Sequence, residues 1–119
     1  MKGYKELLVW QRSFALANQL YALTAHFPKS QQFGLVQQIQ RAGVSVPSNI
    51  AEGANRQSIK EYRHFLSIAL GSLGELETQI MIAQAQAFVR SEEAAPVLDE
   101  LDQIGKMLRS LLKKLASST

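Results

Sequence analysis

A chain of 119 residues, 46% hydrophobic and 19% charged, has the length and balance of one folded domain and is not a disordered segment. It has no cysteine, which excludes a disulfide framework and thiolate zinc sites and agrees with a reducing, cytoplasmic setting. The formal charge of +3 is uneven: residues 1–63 carry eight Lys or Arg against three acids, and residues 64–119 carry five against seven, so an acidic partner is expected on the first half. No uninterrupted apolar run reaches the ~18 residues of a membrane span, and charges break the N-terminal stretch where a secretory leader needs an apolar core.

Four helical segments are predicted. In the first, Leu7, Trp10, Phe14, Ala17, Leu20, Tyr21 and Thr24 recur at three- and four-residue spacing, a core stripe that runs over residues 7–26 and stops at Phe27-Pro28. The second spans 31–55, with Ser30 as its cap. The third, 58–87, opens on the capping box Ser58-Ile59-Lys60-Glu61 and continues through Tyr62, Phe65, Ala69, Leu73, Leu76, Ile80 and Ala83. The fourth, 91–116, has its acids early (Glu92, Glu93) and its bases late (Lys113, Lys114), as the helix dipole favours. Short linkers between long helices predict an all-α fold, an antiparallel up-down-up-down four-helix bundle in a single domain.

The stretch SVPSNIAEG, Ser45 to Gly53, places a proline and a glycine in the middle of the second helix. At 100° per residue, Arg41, Ser45, Ser48, Asn49, Glu52, Asn55 and Arg56 fall within a sector of about 120°, and apolar residues fill most of the remaining circle. That arc is wider than one core-facing side requires, so the helix is expected to be covered on two sides. Pro47 deletes one backbone hydrogen bond and crowds the carbonyl of Gly43, which predicts a kink at Pro47 without a break. Gly43, Gly71 and Gly74 are expected where helices approach closely.

Leu8-Val9-Trp10-Gln11, Phe27-Pro28, Gly34-Leu35 with Gln38 and Arg41-Ala42, Ser45-x-Pro47-Ser48-Asn49-Ile50-Ala51-Glu52-Gly53, and Gly71-Ser72-Leu73-x-Glu75-Leu76-Glu77-Thr78 together resemble the 23S ribosomal RNA intervening-sequence proteins. More distantly, the chain is similar to the accessory variability protein of diversity-generating retroelements. The resemblance implies a cytoplasmic bacterial four-helix bundle assembled as a homopentamer, with no settled biochemical activity. A second helix at a subunit interface would gain a partner for its second apolar side. Subunit or interhelix packing is thus expected of Arg41, Ser45, Val46, Pro47, Asn49, Ile50, Glu52, Gly53, Gly71, Glu75 and Glu77, and Val46→Asp or Ile50→Asp is expected to yield monomers or insoluble chain.

Catalytic constellations are not expected. Glu61-Tyr62-Arg63-His64 is a single Glu-x-x-His unit, whereas a di-iron bundle needs two with further carboxylates. Ser45, Ser48 and Ser72 have no base nearby in the chain, and Glu52, Glu75 and Glu77 are expected to form ion pairs with Arg41, Arg56 and Arg63. Neither cofactor nor metal is anticipated. The candidate nucleic-acid contacts are Lys2, Lys5, Arg12, Arg56, Lys60, Arg63, Lys113 and Lys114, cations that read phosphate with little sequence preference. Trp10, Phe14 and Tyr21 are assigned to the core and not to base stacking. The leading reading is a non-enzymatic oligomeric scaffold that binds structured RNA or a nucleic-acid-processing partner; the alternative is a protein adaptor with no nucleic-acid role.

Overall fold

A computed structural model describes residues 3–118; Lys2 lies outside them. Among the described residues there are four α-helices and no strand: α1 (Leu8–Thr24), α2 (Leu35–Ala54), α3 (Ile59–Ala85) and α4 (Ser91–Ala116), with short 3-10 turns at Tyr4–Glu6 and Lys29–Gln31. α2 packs against α1 and α3, and α4 packs against α3 and α1, so each helix has two neighbours around one core. The result is a rod of 46 × 21 × 20 Å.

The buried stripe of α1 is Val9, Ser13, Leu16, Ala17, Leu20 and Thr24. Its two hydroxyls are satisfied within the helix, Ser13 Oγ donating to Val9 O at 2.7 Å and Thr24 Oγ1 to Leu20 O at 2.8 Å, so small polar residues enter the core without unpaired groups. This corrects the expected stripe. Phe14 and Tyr21 are 52% and 51% exposed, and the face of α1 that meets α2 is the one carrying Ala17 and Leu20. A Cβ built on Gly43 of α2 would stand 2.5 Å from Leu20 Cδ1 and 3.9 Å from Ala17 Cα.

α2 begins at Leu35 instead of Gln31. The chain leaves helical dihedrals at Gly34 (φ −125°, ψ −105°), which splits off Lys29–Gln31 as its own turn, and Ser30 caps neither piece. From there α2 runs through Pro47 to Ala54, burying Val36, Ile39, Ala42, Gly43, Val46, Pro47, Ile50 and Gly53.

The capping box at α3 forms as expected in its first half, Glu61 N donating to Ser58 Oγ at 3.1 Å; the Glu61 carboxylate then accepts from the Ser58 hydroxyl, Oγ to Oε2 3.2 Å. At the other end, Phe88 N donates to Ala83 O at 2.9 Å and Ala87 N to Gln84 O at 3.0 Å, a Schellman ending. It places Ala87 at φ 63°, a left-handed conformation that costs a residue with a Cβ ~1–2 kcal/mol. Ala87→Gly is therefore expected to raise stability by about 0.5–1 kcal/mol after glycine's extra chain entropy is subtracted, read as a higher urea midpoint at unchanged slope.

α4 follows at once. The Glu93 carboxylate accepts from Arg90 N at 3.3 Å, and Gln84 Nε2 of α3 donates to Ser91 Oγ at 3.0 Å. Pro96 lies inside α4, exposed. Leu66, Leu76, Ile80, Ile104 and Leu108 complete the fully buried core with Leu16, Leu20, Ile39, Val46 and Ile50.

Candidate interaction surfaces

The SVPSNIAEG stretch divides between core and a polar seam. Val46 and Ile50 are fully buried within the chain itself, so of the two places expected for them, subunit or interhelix packing, they take the second. Pro47 and Gly53 are buried too. On the seam with α3, Ser45 Oγ lies 2.8 Å from Ser72 Oγ, and Asn49 Nδ2 donates to Ser45 O at 2.8 Å and Ser45 Oγ at 2.9 Å. These hydroxyls face one another and an amide, and among the described residues neither is hydrogen-bonded to a histidine or a carboxylate.

Of the expected ion pairs, Glu52 with Arg56 forms, at 2.8 Å, and Arg56 also reaches Glu61 at 3.7 Å while lying 4.9 Å above the Phe65 ring. Arg12 holds Glu100 with two bonds, Nε to Oε2 at 2.9 Å and Nη2 to Oε1 at 2.5 Å, tying α1 to α4. That hydrogen bond, more than the opposing cost of burial, raises the guanidinium pKa further. Arg12 and Arg56 are thus committed within the chain. Lys5, Lys60, Arg63, Lys113 and Lys114 are exposed and, among the described residues, make no ion pair. Arg41, Glu75 and Glu77 are likewise exposed without an ion-pair partner among the described residues; the Glu75 carboxylate accepts only from Gln79 Nε2, at 3.3 Å.

Between α1 and α2 lies an open groove of about 360 Å³ lined by Tyr4, Trp10, Phe14, Tyr21, Val44, Pro47, Ser48 and Ala51. Trp10 stacks on Phe14 with centroids 5.1 Å apart, and Tyr4 meets Trp10 edge-on at 5.2 Å. Sequence reasoning missed this groove because it gave Trp10, Phe14 and Tyr21 to the core. The signal was present as a second stripe, Trp10, Phe14 and Tyr21, offset from Val9, Leu16 and Leu20. A hollow of about 450 Å³ adjoins it at Tyr21, where Phe33 stands 81% exposed beside Lys29 and Val36.

α3 carries other large exposed apolar groups, Ile68, Met81 and Ile82. A Cβ at Gly71 or Gly74 would meet nothing within 4 Å, so the close approach of helices expected at Gly43, Gly71 and Gly74 is found within the chain at Gly43, and also at Gly53, but not at Gly71 or Gly74. α3 is long and apolar enough to cross a membrane by length and composition, yet a span would carry Glu75 and Glu77 into hydrocarbon, and its other face is committed to the core.

No three His, Asp or Glu side chains gather as a metal site among the described residues. Of the Glu-x-x-His unit, Glu61 is engaged by Ser58 and Arg56 and His64 lies edge-on to Phe65. Burial pushes the Tyr62 phenol up, away from any acid–base role near neutrality. Two grooves, an open helix face and cations with no ion-pair partner among the described residues are thus the surface features of this four-helix protein.

The family model of the 23S rRNA-intervening sequence proteins matches residues 5–110, and the chain belongs to that family. Among solved structures, it is similar to a protein of unknown function from the S23 ribosomal protein family of Bacteroides thetaiotaomicron, with 26% identity and a TM-score of 0.83, covering 89% of this chain and 99% of the other. None of the curated proteins matches.

Proposed function

We propose that this protein is a non-enzymatic, cytoplasmic scaffold, an antiparallel up-down-up-down bundle bent at Pro47 and assembled as a pentamer, that binds structured RNA through one basic end. The observation that carries the reading is the set of five exposed cations, Lys5, Lys60, Arg63, Lys113 and Lys114, that no acid among the described residues neutralises. Neighbour relations support an antiparallel arrangement. Gly53 abuts Tyr62 and Phe65, Tyr4 and Ala51 share a groove, and Leu70 and Arg109 share a hollow. In that arrangement the start of α1, the turn between α2 and α3 and the end of α4 lie together. Five copies multiply a +3 charge into a field that attracts phosphate.

A protein adaptor is the second reading, favoured by the aromatic groove and by Glu52 and Glu61, which flank Arg56 at the basic end. The discriminating experiment titrates the assembled protein and its Lys60→Ala/Arg63→Ala/Lys113→Ala variant against labelled structured RNA. If RNA is the partner, the variant binds about 10-fold or more weakly at ~100 mM salt and loses roughly one unit of salt slope per cation. Arg12→Ala, which removes a committed cation, is expected to leave the slope unchanged. Equal binding by the triple variant and the parent, or none by either, favours the adaptor.

A further inference from the structure

We infer that the α1/α2 groove is the receptor for the exposed face of α3 from a second copy of this chain, an interface between two different faces in which Arg41 of one copy meets Glu75 of the next. The inference rests on the self-assembly reading above and specifies its contacts.

The α3 face has the spacing of a helix seam. Ile68, Gly71, Glu75, Thr78 and Ile82 follow one another at steps of three, four, three and four residues, and every one is exposed. That is the period at which one helix lies along another. It is low on either side of Glu75, because Gly71 has no side chain and open space above it and Thr78 is short, and isoleucines stand at both ends. A glycine in an exposed helix interior costs ~1 kcal/mol relative to alanine, and a second backbone approaching closely accounts for its use.

The groove supplies the complementary relief. Phe14 and Tyr21 project on the α1 side, Val44 and Ala51 line the α2 side, and Arg41 stands on the exposed face of α2 one turn before Val44. Aromatic posts fit over a strip of Gly and Thr, and the isoleucines fill the ends of the groove.

Charge selects the occupant. Glu75 sits in the middle of an otherwise uncharged seam with only an amide for company, and burying that carboxylate against any partner requires a cation there. Arg41 has no acid partner within its own chain among the described residues and offers a guanidinium suited to a carboxylate. The chain therefore carries both halves of the contact. Since the halves are different surfaces, each copy uses one face to receive and the other to insert, the heterologous arrangement that closes into a ring.

The absence of cysteine gives a clean test. Val44→Cys and Gly71→Cys chains, distinguishable by a tag on one, are co-expressed, bridged with a short bismaleimide and separated under denaturing conditions, with the native mass measured on the same sample. The expected result is a mixed product, one V44C chain joined to one G71C chain, that exceeds either product of two like chains by about tenfold, while Ser110→Cys, on an exposed part of α4, gives none. A dominant product of two V44C chains would mean groove against groove and overturn the inference. An assembled protein with no mixed product would overturn the pairing of faces while leaving self-assembly intact, and a monomer throughout would overturn both. A second measurement separates contact between copies from contact within one. Arg41→Glu and Glu75→Arg each lower the native mass, and mixing the two variants restores larger species; failure of the mixture to do so would contradict the Arg41–Glu75 contact.

Discussion

Ile50→Asp leaves the chain unfolded, not merely unassembled. Ile50 is fully buried in the core of its own chain, as is Val46, and a carboxylate placed there finds no partner. Such a substitution is expected to cost more than about 4 kcal/mol, a large share of the ~5–15 kcal/mol that holds a domain together. The far-ultraviolet circular dichroism of Ile50→Asp and Val46→Asp should therefore lose its helical signal under conditions where the parent is folded. Val44→Asp is the contrasting case: 41% exposed at the groove, it should keep the helical signal while lowering the native mass. A folded, helical monomer from Ile50→Asp would contradict the placement of this residue.

Gly53→Ala carries the next largest effect. An added Cβ would lie 2.9 Å from Phe65 Cβ, 3.0 Å from Tyr62 Cδ1 and 3.1 Å from Tyr62 O, and the last of these is backbone, which does not rotate aside. Overpacking of this kind costs ~1–3 kcal/mol, and the ~1 kcal/mol that alanine gains in helix propensity only partly offsets it. The expected net loss is up to about 2 kcal/mol, seen as a lower urea midpoint. Gly71→Ala, with open space at its Cβ, should raise monomer stability by up to ~1 kcal/mol and weaken assembly, so the two glycines are distinguished by sign. This also accounts for the glycine that ends SVPSNIAEG: it lets α2 and α3 close together just before their turn.

The helices themselves are legible in the sequence because their signals are local. Phe27-Pro28 ends α1, Ser58 with Glu61 opens α3, and the early acids and late bases of α4 bracket Ser91–Ala116. The start of α2 is not, since a serine after a proline is a good cap in general and only the dihedrals at Gly34 show the chain interrupted there. The Glu52–Arg56 pair follows from i,i+4 spacing, whereas Arg12 and Glu100 are 88 positions apart, and periodicity carries no information on such a contact.

The candidate surfaces are harder to read for a related reason. Composition does not separate an apolar side chain that faces the core from one that faces an opening, so periodicity assigns Phe14 and Tyr21 inward, as it does Thr24, while only Thr24 of the three is buried and Ser13, its hydroxyl satisfied by its own helix, takes another buried position. Glycines present the same ambiguity. Gly43 and Gly53 admit a neighbouring helix of the same chain, and Gly71 and Gly74 face open space; only the packing distinguishes them. The cations are identifiable one by one in the sequence, but which of them are spent on Glu52, Glu61 and Glu100 depends on tertiary structure.

The most direct test of the scaffold account is the affinity of the assembled protein for labelled structured RNA measured across a series of salt concentrations, with the native mass followed in the same samples. Contact by four or five phosphate-binding cations predicts a linear fall of log K with log salt, with a slope of roughly −3 to −4.5, together with an oligomer that stays intact throughout. A slope near zero, or no binding by an intact oligomer at the lowest salt, would contradict it.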